Sequence, residues 1–219
     1  MKQFGCSSLL VLAGILAAPA AVAEPDKGFY ATAIVGLGFL GSEDLNYRDG
    51  TVNSTAEGDF EASFNGGGAI GYRFNKKWRV EHELMYRRNE LDALTLEGIG
   101  AATEGDYASL SGGFSALYDF KPFDNDRLSA YVGAGVVWVQ EIDIDFEVAG
   151  DEISFETDAV GVQLQFGGRY DLFDNVYVDA GVRYLSVSGV EMELPADTTR
   201  IVEADYSPLS ITVGLGWRF

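Results

Sequence analysis

Residues 206–219 read Y-S-P-L-S-I-T-V-G-L-G-W-R-F. From Leu209 every second residue is large and apolar: Leu209, Ile211, Val213, Leu215, Trp217 and Phe219. Between them stand Ser210, Thr212, Gly214, Gly216 and Arg218. A period of two is the signature of a strand with two unlike faces. One face is continuously apolar and ends in aromatics; the other is small and polar. The stretch exceeds the usual strand of a soluble sheet and matches a tilted membrane-spanning strand. The apolar face is therefore expected to meet lipid, provided the rest of the chain repeats the pattern.

It does, seven more times. The apolar sets are Phe29–Phe39 in the first strand, Phe64–Phe74 in the second and Trp78–Tyr86 in the third. They continue as Ala108–Phe120, Leu128–Trp138, Val160–Leu172 and Val176–Tyr184. Connections near 75–77, 121–126 and 173–175 are short and rich in turn formers. Those near 40–60, 88–106, 140–158 and 186–205 are long, polar and mostly acidic. The pattern predicts an all-β chain, an eight-stranded antiparallel up-and-down transmembrane β-barrel with short periplasmic turns and four long acidic external loops. Aromatics collect at both ends of the expected strands, as two interfacial girdles require.

The first 23 residues have a basic start at Lys2, an apolar run from Leu9 to Ala18 and the exit Ala21-Val22-Ala23. They read as a cleaved signal peptide, leaving 24–219 as one barrel domain. Cys6, the only cysteine, leaves with it, so no disulfide, thiol nucleophile or thiolate metal site is expected. The chain has 15 basic and 34 acidic residues. Removing Lys2 gives 14 − 34 = −20, an acidity that argues against nucleic acid as a partner.

The chain resembles the small eight-stranded bacterial outer-membrane β-barrel family, which includes the OmpA transmembrane domain, OmpX and many surface antigens. The resemblance covers Gly28 to Phe219 through G-F-Y-A-T, W-R-V-E-H-E-L-M-Y-R, A-Y-V-G-A-G-V and G-L-G-W-R-F. It implies export to the outer membrane and contact with outer-membrane lipid and lipopolysaccharide. It also implies that Trp217 and Phe219 form a C-terminal signal for the barrel-assembly machinery. Such motifs identify architecture and compartment, not activity.

The inward parity gathers Arg73, Arg79, Arg87, Arg169, Arg183 and Arg218 with Glu81, Glu83, Asp119, Asp171 and Asp179. Arg79, Glu81, Glu83, Arg87, Arg169, Asp179 and Arg183 are the expected lumen charge network. An eight-stranded barrel is just wide enough for its side chains to fill, so a satisfied, plugging core is favoured over a gated ion path. Glu81 or Glu83 is expected to pair with Arg183 or Arg87. His82, the only histidine, falls on the lipid parity, with Leu84 rather than serine two positions on. The lipid-modifying barrels of this size use a histidine with a serine nearby, so no catalysis is expected. Gly66 is expected to lie opposite Tyr86, whose ring would cover it. The third long segment, with Asp143, Asp145, Phe146, Phe155 and Glu156, is expected to extend as a hairpin. Its acids match no calcium-loop spacing, and no cofactor or metal is expected. The role so implied is structural or surface-interacting, through envelope integrity, adhesion or a surface antigen, with an extracellular or host ligand at the acidic loops. The alternative is a narrow porin-like channel.

Overall fold

The computed structural model describes residues 27–41, 43–49, 52–60, 62–96, 100–102, 105–122, 124–148, 151–194 and 197–219. The expected signal peptide and its cleavage site lie outside them. Among the described residues there are twelve strands: β1 (Gly28–Phe39), β2 (Glu43–Asp49), β3 (Val52–Phe60), β4 (Ser63–Arg73), β5 (Trp78–Leu96) and β6 (Gly100–Ala102). They are followed by β7 (Gly105–Phe120), β8 (Leu128–Val148), β9 (Asp151–Asp171), β10 (Val176–Leu194), β11 (Asp197–Tyr206) and β12 (Leu209–Arg218).

Eight of them, β1, β4, β5, β7, β8, β9, β10 and β12, close into an antiparallel barrel. The closing seam pairs β1 with β12, from Tyr30↔Arg218 to Phe39↔Leu209. Closure removes every unpaired edge, which a lipid environment demands of a sheet. The ladder fixes the stagger. Gly28 pairs with Arg73, which pairs with Arg79, and the row passes through Leu117 and Gly133. It continues through Gln165, Arg183 and Ser210 and returns to β1 at Gly38, not Gly28. That displacement of ten residues along β1 requires strongly tilted strands.

Alternation then sorts the side chains. Val35, Leu37, Phe64, Phe114, Val160, Phe166 and Leu215 are exposed on the outside. Arg79, Arg87, Arg169, Tyr131 and Tyr177 are fully buried inside. The interior is thus a polar core inside an apolar shell, the inverse of a soluble domain.

The long segments differ from the expected loops. The backbone of β5, β7, β8, β9 and β10 runs on past the lipid-facing span, and β2, β3, β6 and β11 are added beyond it. The β8–β9 ladder continues to Val148↔Asp151 across a bulge between Val139 and Ile142, so the expected hairpin is present in the backbone. Beyond the span the barrel is β5–β7–β8–β9–β10–β11–β2–β3, closed by β3 pairing with β5. The first strand continues into β2, the second is entered from β3 and the last from β11, each across a break. The result is two storeys, joined by five continuous strands on one side and three interrupted ones on the other.

Polarity reverses where the two storeys meet. On β10 the outward residues change from Val182 and Tyr184 to Ser186 and exposed Ser188, while inward Leu185, Val187 and Val190 are buried. On β8, Val137 and Val139 are buried inside and Gln140 is exposed outside. Leu40 and Tyr206 are buried at the same junction.

Candidate functional site: the charged lumen

The lumen holds two charge clusters, stacked along the barrel. The lower one is built from neighbouring strands that alternation turns inward. Arg79 donates from Nε to Asp119 Oδ1 at 3.0 Å and from Nη1 to Glu81 Oε2 at 2.7 Å. Arg73 reaches Asp119 Oδ2 at 3.3 Å. Arg169 donates from Nε to Asp179 Oδ2 at 3.3 Å, and its Nη2 lies 3.6 Å from Glu81 Oε2. Three arginines thus face three carboxylates, and the cluster sums to zero.

Tyrosines frame it. Tyr30 donates its hydroxyl to Glu81 Oε2 at 2.8 Å, and Tyr131 donates to Asp179 Oδ1 at 3.0 Å. The Arg169 guanidinium lies 4.5 Å from the Tyr177 ring centroid, and that of Arg79 lies 4.6 Å from the Tyr131 centroid, so the rings add cation–π attraction. Space for the rings comes from inward glycines. A β-carbon on Gly71 would collide with the Tyr30 ring, and one on Gly216 with the Tyr177 ring.

The upper cluster is smaller. Arg183 donates from Nε to Glu83 Oε2 at 2.7 Å and from Nη1 to Thr212 Oγ1. Glu83 Oε1 also accepts from Gln163 Nε2 at 3.1 Å. Arg87 donates from Nη1 to Ser111 Oγ at 2.6 Å and from Nη2 to Gln163 Oε1 at 3.3 Å. Of the expected pairs, Glu83 meets Arg183; Glu81 is held by Arg79 and Arg169, and neither glutamate bonds Arg87 directly. Between the clusters lies a gap lined by Thr32, Ile34, Glu81, Tyr131, Arg169, Asp179 and Arg183, with essentially no room for a water molecule.

Below the lower cluster the barrel opens at its short-turn end into a cavity of about 210 Å³ lined by Arg73, Lys76, Lys121, Asp126, Ser129, Asp171 and Arg218 among others. Arg218 Nη2 meets Asp171 Oδ1 at 2.5 Å. In the exposed turn, Lys121 Nζ meets Asp126 Oδ1 at 2.6 Å, and that hydrogen bond, with the ammonium charge, holds the Asp126 carboxyl below the usual range.

The remaining candidates sit elsewhere. His82 lies on the outer face, donating from Nδ1 to the Gly113 carbonyl at 3.0 Å. It packs 4.6 Å from the Phe114 ring and 5.8 Å from Trp138. Gly66 does pair with Tyr86, but the ring nearest its missing β-carbon is that of Phe64, on its own strand, at 3.2 Å. Trp217 is exposed on the outer wall, and the Phe219 amide donates to the Phe29 carbonyl at 2.9 Å, tying the chain end across the seam. The side chains of Asp143, Asp145, Phe146, Phe155 and Glu156 lie outside the described ones. Among the described residues no three His, Cys, Asp or Glu side chains are grouped to hold a metal ion. Sequence reasoning left Tyr30, Asp119 and Thr212 out of the network. The sequence does carry a signal for Tyr30: a phenol on an inward face otherwise made of Thr32, Ile34, Gly36 and Gly38.

A family model described as an outer membrane protein β-barrel domain matches residues 8–219. No curated protein matches the sequence. Among solved structures, the chain is similar to the outer membrane protein OprG from Pseudomonas aeruginosa, with a TM-score of 0.68 and 17% identity over 89% of this chain and 97% of that one. It is also similar to Neisserial surface protein A, with a TM-score of 0.51 and 20% identity over 88% of this chain and 97% of that one. At these identities the likeness is one of fold.

Proposed function

Because the chain belongs to the outer membrane protein β-barrel domain family and is thereby a bacterial outer-membrane protein, we propose that it works as a sealed barrel, through its surface rather than through a pore or a reaction. The role is structural or surface-interacting, in envelope integrity or adhesion. The observation that carries this reading is the lumen itself. Its lower cluster is charge-balanced, its tyrosines fill the spaces between guanidinium groups, and the gap above it is too narrow for a water molecule. An ion crossing it would have to break several buried pairs, each costly to part.

Charge distribution supports the same reading. Segments 40–62, 88–107, 140–158 and 186–208 together carry 24 Asp and Glu against Arg48, Arg88 and Arg200. Every lysine after Lys2 (Lys27, Lys76, Lys77 and Lys121) belongs to the short-turn end. A strongly anionic end selects partners by charge, attracting divalent cations and cationic surfaces.

The test is single-channel recording of the refolded protein in a planar bilayer, after heat-modifiable gel migration confirms the barrel. A folded, silent barrel is expected. Stable conductance steps that change on Glu83→Gln would favour the narrow-channel reading instead.

A further inference from the structure

The upper cluster does not balance. Among the described residues, Arg183 and Arg87 face a single carboxylate, Glu83, and Arg183 holds it. Arg87 is 1% exposed, yet its partners are the neutral Ser111 hydroxyl and the Gln163 amide oxygen, and its Nε has none. A buried guanidinium without a counter-charge is one of the costliest arrangements a protein can hold. The lower cluster shows that this chain otherwise matches its buried charges one for one.

The neighbouring polar groups are also unsatisfied. Asn65 is the ladder partner of Arg87, is wholly buried, and has no hydrogen-bond partner for Nδ2 or Oδ1. Ser210, wholly buried on β12, has none for Oγ. Between Asn65 and Ser210 runs β1, which at this level offers only Gly36 and Gly38 to the inside. Asn65 Oδ1 sits 2.8 Å from where a β-carbon on Gly36 would stand, so the missing side chain is what lets the Asn65 amide lie over β1. Buried orphan donors are rare, and several in one layer indicate a missing partner.

We propose that this layer, between the charged plug and the buried apolar residues of the junction, is a binding site for a small monovalent carboxylate, held by Arg87 with Asn65 and Ser210. The charge deficit among the described side chains is one, so a monoanion closes it and a phosphate dianion overshoots. A guanidinium edge and an amide N–H match the two oxygens of a carboxylate better than a spherical halide. Met85, Val139 and Leu185, all buried at or next to this level, offer the aliphatic end of such an anion an apolar wall. The site asks nothing of the plug below it and stands whether or not the lumen conducts.

The experiment is thermal unfolding of the full refolded barrel in detergent micelles, read by gel migration, in sodium acetate, sodium chloride and sodium phosphate at equal ionic strength. A ligand that binds only the folded state raises the melting temperature in a saturable way. Acetate is expected to raise it by several degrees over chloride and phosphate. Asn65→Asp places a permanent carboxylate beside Arg87, and should melt higher than the parent without acetate and respond to it no further. Arg87→Met should lose the acetate response. Equal melting in the three salts, a larger response to chloride or phosphate, or an acetate response that survives in Arg87→Met would each overturn the assignment. So would an Asn65→Asp barrel that melts lower while its acetate response is intact.

Discussion

Glu83 and Arg183 lie in a setting where each depends on the other. Both are buried, and Arg183 has one further partner, Thr212. Glu83→Gln keeps the shape but leaves the guanidinium unneutralised beside Arg87. The expected cost is about 3–5 kcal/mol, measured by urea unfolding in lipid vesicles. The double variant Glu83→Gln with Arg183→Met should recover much of that loss, because the orphaned charge leaves with it. Additive losses in the double variant would mean that the pair is not a unit. Side-chain parity told which charges turn inward, because that is set within each strand. It did not tell which of them meet. Pairing depends on how far each strand is displaced against the next, and no single strand carries that information. Hence Glu83 with Arg183 stood among several open pairings, and Asp119 was left outside the network although its parity placed it inside.

Strand lengths were the least legible feature of the elements. Eight spans follow from apolar alternation; at the short-turn end the strands start and stop within a few residues of the expected positions, while at the other end β5, β8, β9 and β10 run on to Leu96, Val148, Asp151 and Leu194. The sequence predicts loops for the continuations because the sign of the alternation flips. In Leu185-Ser186-Val187-Ser188 the period of two persists, but the apolar members have moved to the inward parity. A reading that follows only the lipid face ends each strand at that flip. The flip also implies that the two ends of the barrel have separate sources of stability, one resting on the charge core and lipid, the other starting from the buried apolar layer of Leu185, Val187 and Val190 at the junction. Replacing residues 141–157 with a two-residue Asn-Gly turn, which keeps the Val139↔Ala159 register, should therefore leave a barrel that still shows heat-modifiable migration, with its lower ladder intact. Failure to refold would show that the lower storey needs the tall hairpin.

For the molecule as a whole, the closed eight-stranded sheet follows from the count of strands and the short turns. The ten-residue stagger and the second storey do not. They arise from pairing between strands far apart in sequence, such as β11 with β2 and β3 with β5. The flip in polarity also sets how deep the barrel sits. Gln140, Asp158 and Ser188 stand exposed on the outer wall just past the apolar band, and Lys76, Lys77 and Asp124 stand exposed at the other end. The protein therefore carries its own measure of hydrocarbon thickness, and it cannot slide along the membrane normal without drawing amides, hydroxyls and charges into lipid. Hydrophobic mismatch must then be taken up by the bilayer, which thins or thickens around a stiff cylinder, since closed sheets have little freedom to change tilt. Folding yield into saturated phosphatidylcholine vesicles should accordingly pass through a maximum as acyl chains lengthen. A yield independent of chain length would show that the polar collars do not hold the barrel at one depth.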